Sequence, residues 1–91
     1  MKLAKRITCR SKIISAKNAY HGSTQGALSV MGDEYYKQAF RPLLPDTFQY
    51  AYNSQELIDA IDSNTACVIL ETIQAESGIS VPDKTWFQAV R

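Results

Sequence analysis

Two apolar runs constrain this chain most. Lys12–Ala16 (KIISA) and Thr65–Glu71 (TACVILE) are each of strand length and rich in β-branched residues. Helical patterns and a third strand-like stretch separate them. The order reads helix, strand, loop with a short helix, strand, helix, strand, helix. Alternation of this kind predicts an α/β fold with a mainly parallel sheet and flanking helices. The continuous run of TACVILE predicts a central strand covered on both faces.

The other elements follow from spacing. "MKLAKRI" sets Met1, Ala4 and Ile7 at helical intervals. "DEYYKQAF" opens on two acids and places Tyr36 and Phe40 four apart, as a short helix does. Pro42 and Pro45 break the chain in "RPLLPD". Phe48–Tyr52 alternates aromatic with small or polar residues, as a strand does. "NSQELIDAI" reads as a helix capped by Asn53, with Glu56 three residues on and Leu57, Ile58 and Ile61 as its buried stripe. Asp83 is expected to cap a last helix that puts Trp86, Phe87 and Val90 on one face. Both ends fall inside helical patterns without caps. Residues 1–91 are therefore expected to be a fragment, with part of one larger domain and apolar surface left for missing chain or a partner.

Composition narrows the function. A net charge of +1, with ten Lys and Arg spread along the chain, gives no footprint for nucleic acid or an acidic membrane surface. No apolar run approaches the length that spans a bilayer, and no signal-peptide core follows Met1. The cytoplasm is the expected compartment. One histidine and the separate thiols Cys9 and Cys67 do not make a zinc site, so no metal is expected.

In parallel α/β sheets, ligands gather at the carboxyl ends of the strands. Two polar clusters fall there. Tyr20, His21, Ser23 and Thr24 follow the first strand; Glu71, Gln74 and Glu76 end and follow the last. Taken alone, each has a structural reading. Tyr20 serves equally as a core aromatic with its hydroxyl satisfied, His21 as a hydrogen-bonded structural residue, and Glu71 and Glu76 as solvated loop acids. "GSTQG" has the spacing of a nucleophile elbow but carries Thr24 where serine belongs, with a loop expected after it. No phosphate-binding P-loop pattern occurs.

"NAYHGSTQGALSVMG", "FRPLLPD" and "ACVILETIQAESG" resemble, in order and spacing, the class III pyridoxal-phosphate-dependent aminotransferases, the acetylornithine and ornithine enzymes in particular. The resemblance covers essentially the whole chain. It implies a piece of the large, cofactor-binding domain of fold type I, in an enzyme dimeric through its active sites. It implies pyridoxal 5'-phosphate as cofactor, and amino transfer from an amino-acid or ω-amino donor to a 2-oxo acid. Tyr20 matches the aromatic that stacks on the pyridine ring, and His21 and Gly22 complete that turn. Glu71 matches the acid near the cofactor. Ser23 and Glu76 fall on the substrate side.

Departures from the pattern matter for substrate. Ser23 stands where the acetylornithine and ornithine enzymes usually carry the arginine that binds a substrate carboxylate, and a hydroxyl cannot replace a bidentate guanidinium. Thr72 replaces the usual proline, Ala75 and Ser77 replace small residues that are often glycine, and Cys9 stands where glycine is common. None of the lysines sits in the context of the family's Schiff-base lysine, so no catalytic residue is assigned and the 91 residues alone are expected to be inactive. The alternative to the enzyme fragment is a non-enzymatic α/β module that self-associates through an exposed sheet face. A hydrolase using Thr24 is the third reading.

Overall fold

In the computed structural model, which describes residues 1–74 and 82–91, Lys12–Ala16 forms β1, the middle strand of a three-stranded sheet. β2 (Thr47–Tyr50) and β3 (Thr65–Ile69) flank it, both parallel, in the order β2–β1–β3. The β1–β2 register runs from Ile13 opposite Thr47 to Ala16 opposite Tyr50. Against β3, Lys12 faces Thr65, an irregularity follows, and Ile13 to Ser15 then face Cys67 to Ile69.

β1 is central because it can be buried on both faces. Ile13, Ile14, Ser15 and Ala16 are all fully buried. The expectation that TACVILE is the central strand is corrected. Among the described residues β3 pairs only with β1, and Ala66–Ile69 are half-buried. A continuous apolar run reports cover on two faces; it does not report partners on two edges.

The two faces differ in character. Ile14 and Ala16 pack with Leu57 of α4 (Gln55–Ala60) and Trp86 of α5 (Lys84–Val90), joined by Tyr50, Tyr52, Val68 and Phe87. This is the apolar core, and Leu57→Ala in it costs about 2–5 kcal/mol. Ser15 points the other way and donates to the Val30 carbonyl at 2.7 Å. That face is covered by α2 (Gln25–Ser29) and by α3 (Glu34–Lys37), which runs into a 3-10 turn at Gln38–Phe40. α1 (Lys2–Thr8) lies against β3.

Caps explain the helix boundaries, with two corrections. Asp33 caps α3 by accepting from the Tyr35 amide. α4 is capped by Ser54, whose Oγ accepts from the Leu57 amide at 3.3 Å, and not by Asn53. Asn53 instead has a φ of 60° and its Oδ1 accepts from the Asp83 amide at 3.2 Å. Asp83 holds the N-cap position of α5 without a side-chain cap bond. The Trp86 indole donates to the Ser54 carbonyl at 2.7 Å, so the cap of α4 and the core side of α5 are one unit. Among the described residues no helix is long and apolar enough to cross a membrane.

Candidate functional site

The connections leaving β1 and β3 part to opposite faces of the sheet. β1 continues into α2 and α3 on the Ser15 face; β3 continues towards α5 on the Ile14 face. The two strands are adjacent, so a crevice opens between their carboxyl ends. This is the position where open α/β sheets bind ligands.

The exit from β1 is fixed by backbone contacts. Asn18 takes a φ of 61° and the Ala19 amide donates back to the Ala16 carbonyl at 3.3 Å. Gly32 then closes on this turn, donating to the Ala19 carbonyl at 3.1 Å. A Cβ at Gly32 would lie 2.2 Å from the Asn18 nitrogen and 2.8 Å from the Ala19 nitrogen, so only glycine fits. The residue held out by this clamp is Tyr20, whose side chain is 42% exposed at the crevice.

The exit from β3 meets it. The Tyr20 amide donates to Glu71 Oε1 across a long hydrogen bond of 3.4 Å. Gln74, buried, reaches back and donates from Nε2 to the Lys17 carbonyl at 2.8 Å. Just past β2, Tyr52 donates its hydroxyl to the Glu71 carbonyl at 2.6 Å. Burial of the Tyr52 phenol, and secondarily the Glu71 carboxylate, pushes its pKa up, so it remains a donor beyond the ordinary tyrosine range. The segments that follow all three strands thus hold the Tyr20–Glu71 pair.

The remaining expected residues divide. His21 is half-buried, and its Nε2 is shielded from solvent without a hydrogen-bond partner among the described residues. Gly22 has a φ of 117°, a conformation that L side chains rarely adopt. Ser23 and Thr24 are exposed. Glu76 lies outside the described residues. Thr24 is the N-cap residue of α2, so a helix follows where a loop was expected. With His21 Nε2 unpartnered, no histidine among the described residues activates Thr24, and the hydrolase reading finds no support there. Among the described residues no cluster of side chains could hold a metal ion.

Sequence reasoning missed two members. Gly32 reads in sequence as loop punctuation, and Tyr52 as one aromatic in an alternating strand. The signal for Tyr52 was its position just past a strand end. The signal for Gly32 appears only when its backbone neighbours are known.

The fold is α/β with a parallel sheet, and Tyr20 and Glu71 meet at the carboxyl ends of two adjacent strands. The comparisons with known proteins sharpen that class. The model of the aminotransferase class-III family matches residues 1–91, and the chain belongs to that family. It is 41% identical over its whole length to the [LysW]-aminoadipate semialdehyde/glutamate semialdehyde transaminase of Sulfurisphaera tokodaii, covering 24% of that protein. It is 43% identical over 81 residues (88% of this chain and 21% of the relative) to ornithine aminotransferase 1 of Staphylococcus aureus. The chain thus spans about a quarter of the length of these curated relatives. The ornithine aminotransferase structure from Toxoplasma gondii superposes with a TM-score of 0.82 at 26% identity, over 98% of this chain and 22% of that one. An amine transaminase from an uncultivated Pseudomonas species, solved in its PLP-bound form, gives a TM-score of 0.83 at 21% identity, over 99% of this chain and 27% of that one, and supports the fold alone.

Proposed function

We propose that residues 1–91 are part of the large domain of a PLP-dependent aminotransferase and build one wall of its cofactor pocket. The enzyme transfers an amino group from an amino-acid or ω-amino donor to a 2-oxo acid. The observation that carries this reading is the meeting of Tyr20 and Glu71 across the crevice between β1 and β3. The residues fit the cofactor: an aromatic face is exposed at the crevice, and a positive-φ glycine stands two residues on. The shielded, unpartnered His21 Nε2 is also what a site lacking its ligand leaves behind.

Bound pyridoxal phosphate supplies the electron sink that amino transfer needs. This chain's residues orient it. Tyr20 stacks on the pyridine ring and keeps water from one face. Glu71 accepts from the Tyr20 amide, fixing the loop that carries the ring. Ser23 and Glu76 belong to the substrate side. Ser23 offers a single hydroxyl, which disfavours a donor held by a bidentate carboxylate clamp at this position. The lysine that binds the cofactor comes from another part of the enzyme.

On this reading the enzyme works in the cytoplasm as a homodimer or another homo-oligomer. Apolar side chains left exposed, among them Tyr35, Phe40 and Phe48, suit cover by further chain or a second copy. The test is cofactor absorbance and amino transfer to 2-oxoglutarate by the full-length enzyme. Absence of cofactor uptake rejects the reading. Tyr20→Ala there is expected to weaken cofactor binding by about 0.5–1.5 kcal/mol beyond lost area; unchanged affinity rejects the stacking role.

A further inference from the structure

A cleft lies on the other side of β1, over β2. It opens on the Ser15 face between β2 and the α2–α3 segment, with a volume of about 330 Å³. Thr47 and Gln49 of β2 form its floor, and Lys37 of α3 enters it.

Lys37 is the unusual member. It is 4% exposed, yet among the described residues its Nζ reaches only neutral acceptors, the Met31 carbonyl at 3.0 Å and Gln49 Oε1 at 3.3 Å. An ammonium has three protons to donate, so one is left over. Among the described residues no carboxylate lies within 4 Å of it. Glu34, the acid whose charge acts on Lys37, is engaged by Arg41 Nη2 at 2.8 Å. Gln49 cannot turn away, since its Nε2 donates to Ser15 Oγ at 3.2 Å. A buried cation without a bonded anion is costly, and the fold holds this one in place with a cavity beside it.

We propose that the cleft is a carboxylate-binding site, with Lys37 as its buried donor and Arg41 at its rim. Lys37, Arg41 and Glu34 leave one net positive charge among the lining side chains, which a single carboxylate neutralises and a phosphate dianion exceeds. Leu43 and Leu44 on the same wall give the hydrocarbon part of such a ligand an apolar surface. The carboxylate is either a free small acid or an Asp or Glu side chain from another part of the full-length protein or from a second copy. The proposal does not rest on the cofactor reading, because none of its residues belongs to the Tyr20–Glu71 crevice.

The experiment uses the full-length protein, with acetate as probe and chloride at equal ionic strength as control. Thermal unfolding is followed in wild type, Lys37→Met and Lys37→Arg. Carbodiimide coupling of the wild type, read by mass spectrometry, reports any carboxylate in contact with Lys37. A saturable rise in Tm specific to acetate, kept in Lys37→Arg and lost in Lys37→Met, identifies a free acid. An amide between Lys37 and an Asp or Glu other than Glu34 identifies a protein carboxylate and supports the proposal even where Lys37→Met does not fold. The absence of both a Lys37-dependent acetate effect and such a cross-link overturns it. Cofactor uptake is unaffected in either case, so failure here is distinguishable from failure of the aminotransferase reading.

Discussion

The Tyr52 hydroxyl donates to the Glu71 carbonyl at 2.6 Å, so the residue just past β2 fixes the residue just past β3. The Tyr52 ring is separately held by Trp86 and Phe87, with centroids 5.4 and 6.5 Å away. Tyr52→Phe keeps that packing and leaves the Glu71 carbonyl without its donor. We expect a loss of about 1–2 kcal/mol in stability, read as a lower urea midpoint with an unchanged m-value. Cofactor affinity should fall too, although Tyr52 is not assigned a contact with the cofactor. Wild-type stability in the variant refutes the bond's role.

Two glycines six residues from one another in this segment should respond with opposite signs. At Gly32 a Cβ meets Asn18, Lys17 and Ala19 backbone atoms at 2.2–2.8 Å, and backbone cannot swing aside. Gly32→Ala should cost about 3 kcal/mol or more and displace the Tyr20 turn. At Gly26, inside α2, a Cβ meets only the Met1 Cε at 3.5 Å. Gly26→Ala should gain about 0.5–1 kcal/mol from helix propensity. Chemical denaturation of both variants checks this, and equal shifts contradict the clamp.

Cys9 ends α1 in the left-handed conformation, at φ 57° and ψ 29°, with its amide bonded to the Lys5 carbonyl at 2.9 Å. A side chain with a Cβ is strained there, and glycine is not. Cys9→Gly should therefore stabilise the protein by about 1 kcal/mol, while Cys9→Ala, which keeps the Cβ, should gain nothing. A destabilised Cys9→Gly would show that the thiol does more than its weak contact with the Arg6 carbonyl suggests.

β1 was legible because burial on both sides of a strand leaves a continuous apolar run, and it matches its run residue for residue; β2 was legible from alternation and β3 from its apolar run, but not their places in the sheet. α2 was not legible. It has five residues, an internal glycine and no full turn of apolar periodicity, so tertiary packing of Leu28 and Ser29 decides it. The cap of α4 fell one residue away because Asn53 and Ser54 are both good caps. The choice depends on Asp83, thirty residues on, which takes the Asn53 side chain. The site was half legible. Topology places Tyr20 and Glu71 on one sheet edge, but the contacts that lock them, from Gly32, Tyr52 and Gln74, join residues distant in sequence.

The buried ammonium gives a prediction in pH. Burial lowers the Lys37 pKa; Glu34 opposes the shift and Arg41 adds to it. Between its folded value and the ordinary 10.5, the unfolded chain binds more protons than the folded one, so stability rises with pH across that window. The penalty is fully present below the folded pKa and gone above the unfolded one. Tyr52, whose pKa is raised, works in the opposite sense above its ordinary value of 10.0, so the wild-type profile alone mixes the two. The difference between wild type and Lys37→Met isolates the lysine. It should narrow as pH climbs towards 10.5, measured by urea unfolding at successive alkaline pH values. A bound carboxylate would hold Lys37 charged and raise its folded pKa, so saturating acetate should flatten the wild-type rise if the cleft takes a free acid. A pH-independent difference would show that Lys37 is compensated in the folded protein without added acid.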